Sequence, residues 1–287
     1  MGHHEAARSP AACLRTLLAA GGAGFITAGT VILKLLILHA SLTLFRGGFF
    51  VALNFMISFI FIQIFNFKLA TKQSSLFGAA LGRRLRSFRA GFDHEIFRRE
   101  MEWGLKTQAM SALGNLTFVI PVVYVFHLIF HSTFIDPATA RIALQSLHPW
   151  KSASLPYAVF TGCLLWLCTF LGGAMANRFG RFSKTSATLF FNVFLGAALA
   201  FIPVLGKVLK IPLDVRHFTL SGGTVAVAAT SLGFHKALDA GLISALFGVL
   251  WIGVLNFSVS FGLAFMHSLW RTFSNRDLRE TILYEAP

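Results

Sequence analysis

The sequence predicts an all-α fold: a polytopic transmembrane helical bundle of about six spans plus a short re-entrant or seventh helix. The chain of 287 residues is 55% hydrophobic and only 13% charged, whereas a soluble domain carries about 25% charged residues. Its charges are clustered, which leaves apolar stretches of roughly 20 residues, long enough to cross about 30 Å of hydrocarbon as helices. We therefore expect a single transmembrane domain over residues 1–287.

Six apolar segments are the candidate spans. The first is expected to be retained, because its apolar run continues to about Leu38 and is too long for a cleaved signal peptide. Small residues that permit close helix contacts occur in the first span around Gly24 and Gly29, and in the fifth at Gly196. A seventh segment, 219–236, is short and rich in small residues, which favours a half helix. The six candidate spans are 16–39, 47–67, 110–131, 157–176, 188–206 and 240–266.

Basic residues orient the predicted bundle. The interval 71–107 and the short link 177–187 are rich in Lys and Arg, and short basic loops stay in the cytoplasm. With six spans, both termini of this multi-pass membrane protein are then expected in the cytoplasm. The formal net charge of +14 follows from this orientation and from anionic lipid head groups, so it does not indicate a nucleic-acid partner.

The interval 71–107 is predicted to be a basic amphipathic cytoplasmic loop. Five apolar residues between Leu85 and Phe97 can share one side of a helix that lies on the lipid surface. Acidic residues are mixed with the arginines, which leaves a solvated helix pair as an alternative. We expect anionic head groups of membrane lipids as partners, with a cytoplasmic protein partner as the alternative. The residues expected at the lipid surface are Arg83, Arg84, Arg86, Arg89, Arg98 and Arg99.

The most polar stretch between apolar segments is IPVLGKVLKIPLDVRHFTLSGG at 202–223. Pro203 and Pro212 are expected to limit helix on both sides, so GKVLKIPLDVRHF at 206–218 is expected to be extended or a short irregular turn. A half helix that begins after this turn is suited to bind an anion or a head group, although the turn can also serve folding alone. Within the first span, Lys34 is either a binding charge or a lysine that snorkels outward. The ligand-binding candidates are Lys34, Lys207, Lys210, Asp214, Arg216 and His217.

No residue pattern indicates a catalytic centre, a metal site or a cofactor. Cys13, Cys163 and Cys168 lack metal-ligand spacing and are expected to be ordinary buried thiols. The asparagines within predicted spans are explained by interhelical hydrogen bonds, worth about 0.6 kcal/mol each on average.

Several stretches in order resemble the C-terminal membrane region of a bacterial family known as site-specific recombinases, which are inner-membrane proteins. The most specific are FKLATKQ at 67–73 and IPLDVRHFTLSGG at 211–223. The resemblance covers most of residues 15–270. Members of the family are longer, with a largely helical soluble region ahead of the membrane part. The resemblance therefore implies that the chain is a fragment or a reduced relative.

The family name implies cleavage and rejoining of DNA, which needs a Tyr or Ser nucleophile surrounded by arginines. The tyrosines are Tyr124, Tyr157 and Tyr284, and none can be placed beside a cluster of Arg, His and Lys on the cytoplasmic side. The sequence therefore favours a lipid- or small-solute-handling membrane protein without recombinase catalysis. A structural membrane anchor or partner-binding module is the first alternative, and site-specific DNA recombination is the second.

Overall fold

The computed structural model describes residues 9–87, 94–130, 135–178 and 184–273, and no residue in these ranges lies in a strand. The all-α prediction is confirmed. The helices in these ranges are α1 (Pro10–His39), α2 (Leu44–Ile64), α3 (Ala70–Ser87), α4 (His94–Phe130), α5 (Pro137–Gln145), α6 (Ser154–Arg178), α7 (Lys184–Leu209), α8 (Phe218–Leu232), α9 (Phe234–Asp239) and α10 (Leu242–Phe273).

Six of these helices are long and apolar enough to cross a membrane: α1, α2, α4, α6, α7 and α10. The chain is therefore a multi-pass membrane protein, as predicted. The first span begins earlier than expected, because the hydroxyl of Ser9 accepts a hydrogen bond from the Ala12 N–H group and caps α1. The fifth span continues through Pro203 to Leu209, so within the expected irregular segment at 206–218 only residues 210–217 lie outside a helix.

Helix α8 has the half length that its sequence predicts. Its 15 residues measure about 22 Å along the axis, less than the ~30 Å of a bilayer core. It begins in the middle of the bundle, where Phe218 packs against Gly253 of α10, and it ends at Gly233, whose φ of 78° favours glycine. Gly222 fits directly against Leu116 of α4, so this glycine serves close packing inside the helix.

The structure differs from the expectation of a loop at 71–107. Helix α2 ends at Ile64, before the predicted boundary at 67, and residues 65–69 are irregular. Helix α3 then runs parallel to α10, with Ser74, Gly78 and Gly82 facing it at four-residue spacing. Such small residues let two helices approach closely, and this buries the first turns of α3 inside the bundle. Residues 94–107 of the interval are the beginning of α4, which is continuous from His94.

The bundle has two distinct ends. At the first, here called the basic end, α1 and α4 begin and α3 and α10 finish, as shown by contacts of Gly104 with Phe77 and of Gly82 with Ser268. At the second, here called the cavity end, lie the link 40–43 and the short helices α5 and α9.

The small-residue contacts expected in the spans are present in part. A Cβ atom on Gly24 would collide with the carbonyl oxygen of Asn115, and one on Gly196 would lie 2.7 Å from the backbone nitrogen of Met56. The expectation for Gly29 is wrong, because no atom lies within 4 Å of the position of its Cβ atom. Gly29 faces away from the neighbouring helices, whereas Gly24 faces α4.

Candidate functional site

Two helices begin in the middle of the bundle, and asparagines of full-length spans cap them. The side-chain oxygen of Asn115 accepts hydrogen bonds from the Ala70 N–H group (3.1 Å) and the Thr219 hydroxyl (3.2 Å). The side-chain oxygen of Asn256 accepts one from the Phe218 N–H group (3.1 Å). The first N–H groups of a helix have no partner within it, so these oxygens supply caps to α3 and α8.

Both asparagines also donate to carbonyl groups that would otherwise be buried without partners. The amide nitrogen of Asn115 donates to the carbonyl oxygens of Ala20 (2.7 Å) and Lys68 (3.0 Å). The amide nitrogen of Asn256 donates to the carbonyl oxygens of Ala158 (2.9 Å) and Arg216 (3.1 Å). Each asparagine therefore fixes one irregular segment, 65–69 or 210–217, against two spans. This satisfies backbone groups that water cannot reach.

His217 joins the two irregular segments. Its side chain is only 2% exposed, and its Nε2 atom lies 2.7 Å from the hydroxyl oxygen of Thr71. Its Nδ1 atom is buried and has no hydrogen-bond partner among the described residues. Thr71 and His217 belong to FKLATKQ and IPLDVRHFTLSGG, so these two stretches meet at the start of α3 and α8. We call the hydrogen-bonded groups around Asn115, Asn256 and His217 the central junction.

A cavity of about 830 Å³ lies between α1, α2, α7 and the 210–217 segment. Its apolar wall is formed by side chains of all three spans and of α8. The structure brings every ligand-binding candidate to this one cavity, although Lys34 is remote in the chain from the other five. The candidates that line it are Lys34, Lys207, Lys210, Asp214, Arg216 and His217, and the apolar lining includes Leu35, Val51, Phe55, Leu199, Val204 and Leu220.

The 210–217 segment is held rigidly where it borders the cavity. Arg216 Nη2 lies 3.1 Å from Asp214 Oδ2, and the other carboxylate oxygen of Asp214 accepts the Val215 N–H group at 2.8 Å. The guanidinium carbon of Arg216 lies 6.0 Å from the centre of the Tyr157 ring, within cation–π distance. Its backbone N–H group donates to the hydroxyl of Thr161 at 2.8 Å. Both charged side chains are therefore fixed in position.

Lys34 is half-buried and lines the cavity, as required of a binding charge. Its Nζ atom lies 6.0 Å from the centre of the Phe55 ring, and it is close enough to Asp214 and Arg216 to interact electrostatically with both. Within the described residues, no carboxylate oxygen lies within 4.0 Å of the ammonium groups of Lys34, Lys207 or Lys210. The lysines therefore bring positive charge to the cavity that no ion pair compensates.

The arginines predicted at the lipid surface, so far as the structure describes them, belong to helix turns at the basic end and do not line the cavity. Arg98 and Arg99 are exposed in the first turns of α4, where Arg99 forms an ion pair with Glu95. Arg89 lies outside the described residues. The last turns of α3 contain Arg83, Arg84 and Arg86.

No group of three or more His, Cys, Asp or Glu side chains within the described ranges is arranged to hold a metal ion. No disulfide joins the cysteines of these ranges; Cys168 is buried as expected, whereas Cys13 and Cys163 are only partly buried.

Sequence reasoning missed the roles of Asn115 and Asn256 at the central junction. It expected interhelical hydrogen bonds from such residues, but nothing in the local sequence shows that they cap helices elsewhere in the chain. The available signal was indirect: α8 begins at Phe218 without a capping side chain of its own. A helix start that lacks a local cap and is buried requires a distant acceptor.

No curated protein sequence and no solved structure is significantly similar to the chain. A family model described as site-specific recombinase matches residues 1–181 and 166–280, which together include nearly all of the chain. The match contains both halves of the central junction and all cavity-lining candidates. The chain therefore belongs to the site-specific recombinase family.

Proposed function

We propose that the protein resides in the bacterial inner membrane and binds an anionic amphiphile, either a lipid or a small solute, in its cavity. The supporting observation is that the cavity lining has a charged part and an apolar part. Four cationic side chains and one carboxylate border a space whose other walls are apolar side chains of α1, α2 and α7. The volume of about 830 Å³ lies within the roughly 300–1,000 Å³ of small-molecule sites.

The position of Lys34 favours a ligand over a purely structural role. A charged side chain within a span is costly unless it pairs with an opposite charge or contacts water. Lys34 faces Phe55 and the cavity. Asp214 is the only carboxylate among the described residues that lines this cavity, and it already pairs with Arg216. An anionic head group supplies the missing negative charge, and the apolar wall accommodates the attached hydrocarbon.

The geometry also supports a function without recombinase catalysis. Tyr124 is 53% exposed on the outer face of α4, where the surrounding surface is apolar. Tyr157 has one arginine beside its ring, and that arginine is paired with Asp214. DNA cleavage by tyrosine requires several cations around the scissile phosphate, whereas a carboxylate at this position repels it.

Substitution of the cavity lysines tests the proposed function. We expect the double variant Lys34→Gln, Lys207→Ala to bind phosphatidylglycerol at least tenfold more weakly than the unchanged protein, because each lost charged contact is worth about 1.5 kcal/mol. Lipid affinity is measured by titrating the purified protein with the lipid in detergent. Thermal unfolding then measures the stability of each protein.

Lys151→Ala is the matched control, because Lys151 is exposed at the cavity end and does not line the cavity. Equal lipid affinity of all three proteins would contradict the proposal. That result, combined with lower stability of the double variant, would favour the alternative of a structural anchor or partner-binding module.

We further propose that the basic end faces the cytoplasm, because arginines accumulate there in α3 and α4. Alkaline phosphatase fused after Pro287 is therefore expected to be inactive in cells. The same enzyme inserted after Ser41, in the link at the cavity end, is expected to be active. Activity at Pro287 and none at Ser41 would reverse the orientation.

A further inference from the structure

We infer that the cavity selects a phosphomonoester, a dianionic head group, over head groups that carry a single negative charge. This inference rests on the proposed binding of an anionic amphiphile and specifies its chemistry. The phosphomonoester is either the head of a lipid such as phosphatidic acid or a small phosphorylated solute.

The charge of the lining favours a dianion. The cavity lining contains four cationic side chains and one carboxylate, so a net charge of three positive units remains when the His217 imidazole is neutral. The cations are Lys34, Lys207, Lys210 and Arg216, and the carboxylate is that of Asp214. A phosphodiester or carboxylate ligand compensates one of these charges, whereas a phosphomonoester compensates two. The half-buried charge of Lys34 is costly when uncompensated, and the exposed Lys207 and Lys210 attract further negative charge, so the doubly charged head group gains more on binding.

Two buried donor atoms that belong to cavity-lining residues favour the same ligand. Arg216 uses Nη2 to bind Asp214, while its Nε atom is buried without a hydrogen-bond partner among the described residues. The Nδ1 atom of His217 is likewise buried without a hydrogen-bond partner among the described residues. Guanidinium nitrogens only donate, and the imidazole donates through Nδ1 when the Thr71 hydroxyl donates to Nε2. A terminal phosphoryl group has three strong acceptor oxygens, so it can accept from the ammonium group of Lys34 and, once the two side chains turn toward the cavity, from these two donors.

The test compares lipids that share their acyl chains and differ in the head group. We expect dioleoylphosphatidic acid to bind the full-length protein at least tenfold more tightly than dioleoylphosphatidylglycerol at pH 7.5. The second proton of a phosphomonoester dissociates at a pH of about 6, so this preference should shrink at least threefold at pH 5.5. Affinity for phosphatidylglycerol should change little, because its charge does not change over this range. Native mass spectrometry of the protein in detergent counts the bound lipids directly.

A variant and a competitor complete the design. We expect Lys34→Gln to reduce the preference for phosphatidic acid at least threefold and Lys151→Ala to leave it unchanged. Glycerol 3-phosphate at millimolar concentration should displace phosphatidic acid if the head group alone is recognised, and should not if the acyl chains are required.

Equal affinity for phosphatidic acid and phosphatidylglycerol at pH 7.5 would overturn this inference but leave the proposed function intact. Failure of both lipids to bind would overturn both.

Discussion

Replacement of Asn115 by alanine is expected to lower the free energy of unfolding by about 3 kcal/mol. Its side chain is fully buried and accepts from Ala70 and Thr219 while donating to Ala20 and Lys68. Alanine leaves these groups without partners in a region that water does not reach, and it removes the cap of α3. Unfolding by sodium dodecyl sulfate in mixed micelles measures the change.

Asn54→Ala is the matched control for this prediction. Asn54 is also a buried asparagine in a span, but its amide makes a single interhelical hydrogen bond, to the carbonyl oxygen of Thr30 at 2.8 Å. We expect a loss of about 1 kcal/mol for this variant. Equal losses in the two variants would show that the central junction contributes no more than an ordinary hydrogen bond between spans.

Two substitutions of His217 are expected to separate ligand binding from folding. The amide of a glutamine side chain reaches the position of Nε2, so His217→Gln keeps the hydrogen bond to Thr71 and loses Nδ1. We expect it to fold normally and to bind phosphatidic acid about tenfold more weakly, as the loss of one hydrogen bond to a charged ligand implies. The amide of asparagine instead occupies the position of Nδ1. His217→Asn should therefore lose about 1 to 2 kcal/mol of stability, with a smaller effect on binding.

The two variants are measured in the same lipid titration and unfolding experiments. If both are destabilised equally and bind phosphatidic acid as the unchanged protein does, then His217 serves packing alone. If His217→Asn loses more affinity than His217→Gln, the contact with Thr71, rather than Nδ1, supports the ligand site.

The sequence predicts the spans and α8 well, because both depend on local properties. An apolar run of about 20 residues is long enough to cross a bilayer, and the 15 residues of α8 are not. Helix α3 was not predicted as part of the bundle, because its residues resemble a polar loop. Thr71 and Ser74 are buried only because His217 and Ser260 provide hydrogen-bond partners, and those partners are remote in the chain.

The candidate site could be predicted in part, because some of its residues stand out locally in the sequence and others depend on distant contacts. Asp214, Arg216 and His217 are prominent because they interrupt an apolar sequence. The role of Lys34 remained open, since a lysine in a span either snorkels outward or faces a polar space. The choice depends on where α7 and the 210–217 segment lie relative to α1. That arrangement depends on contacts between distant segments, which no local pattern contains.

The burial of α3 has a consequence for the order of assembly during synthesis. Ser74 of α3 contacts Ser260 of α10, and 186 residues separate them in the chain. At ~5 to 20 residues per second, the ribosome needs about 10 to 40 s to reach Ser260 after Ser74 has been made. Until then the groove that receives α3 does not exist. The first five spans must therefore enter the bilayer while α3 waits outside the hydrocarbon, and its docking completes biogenesis.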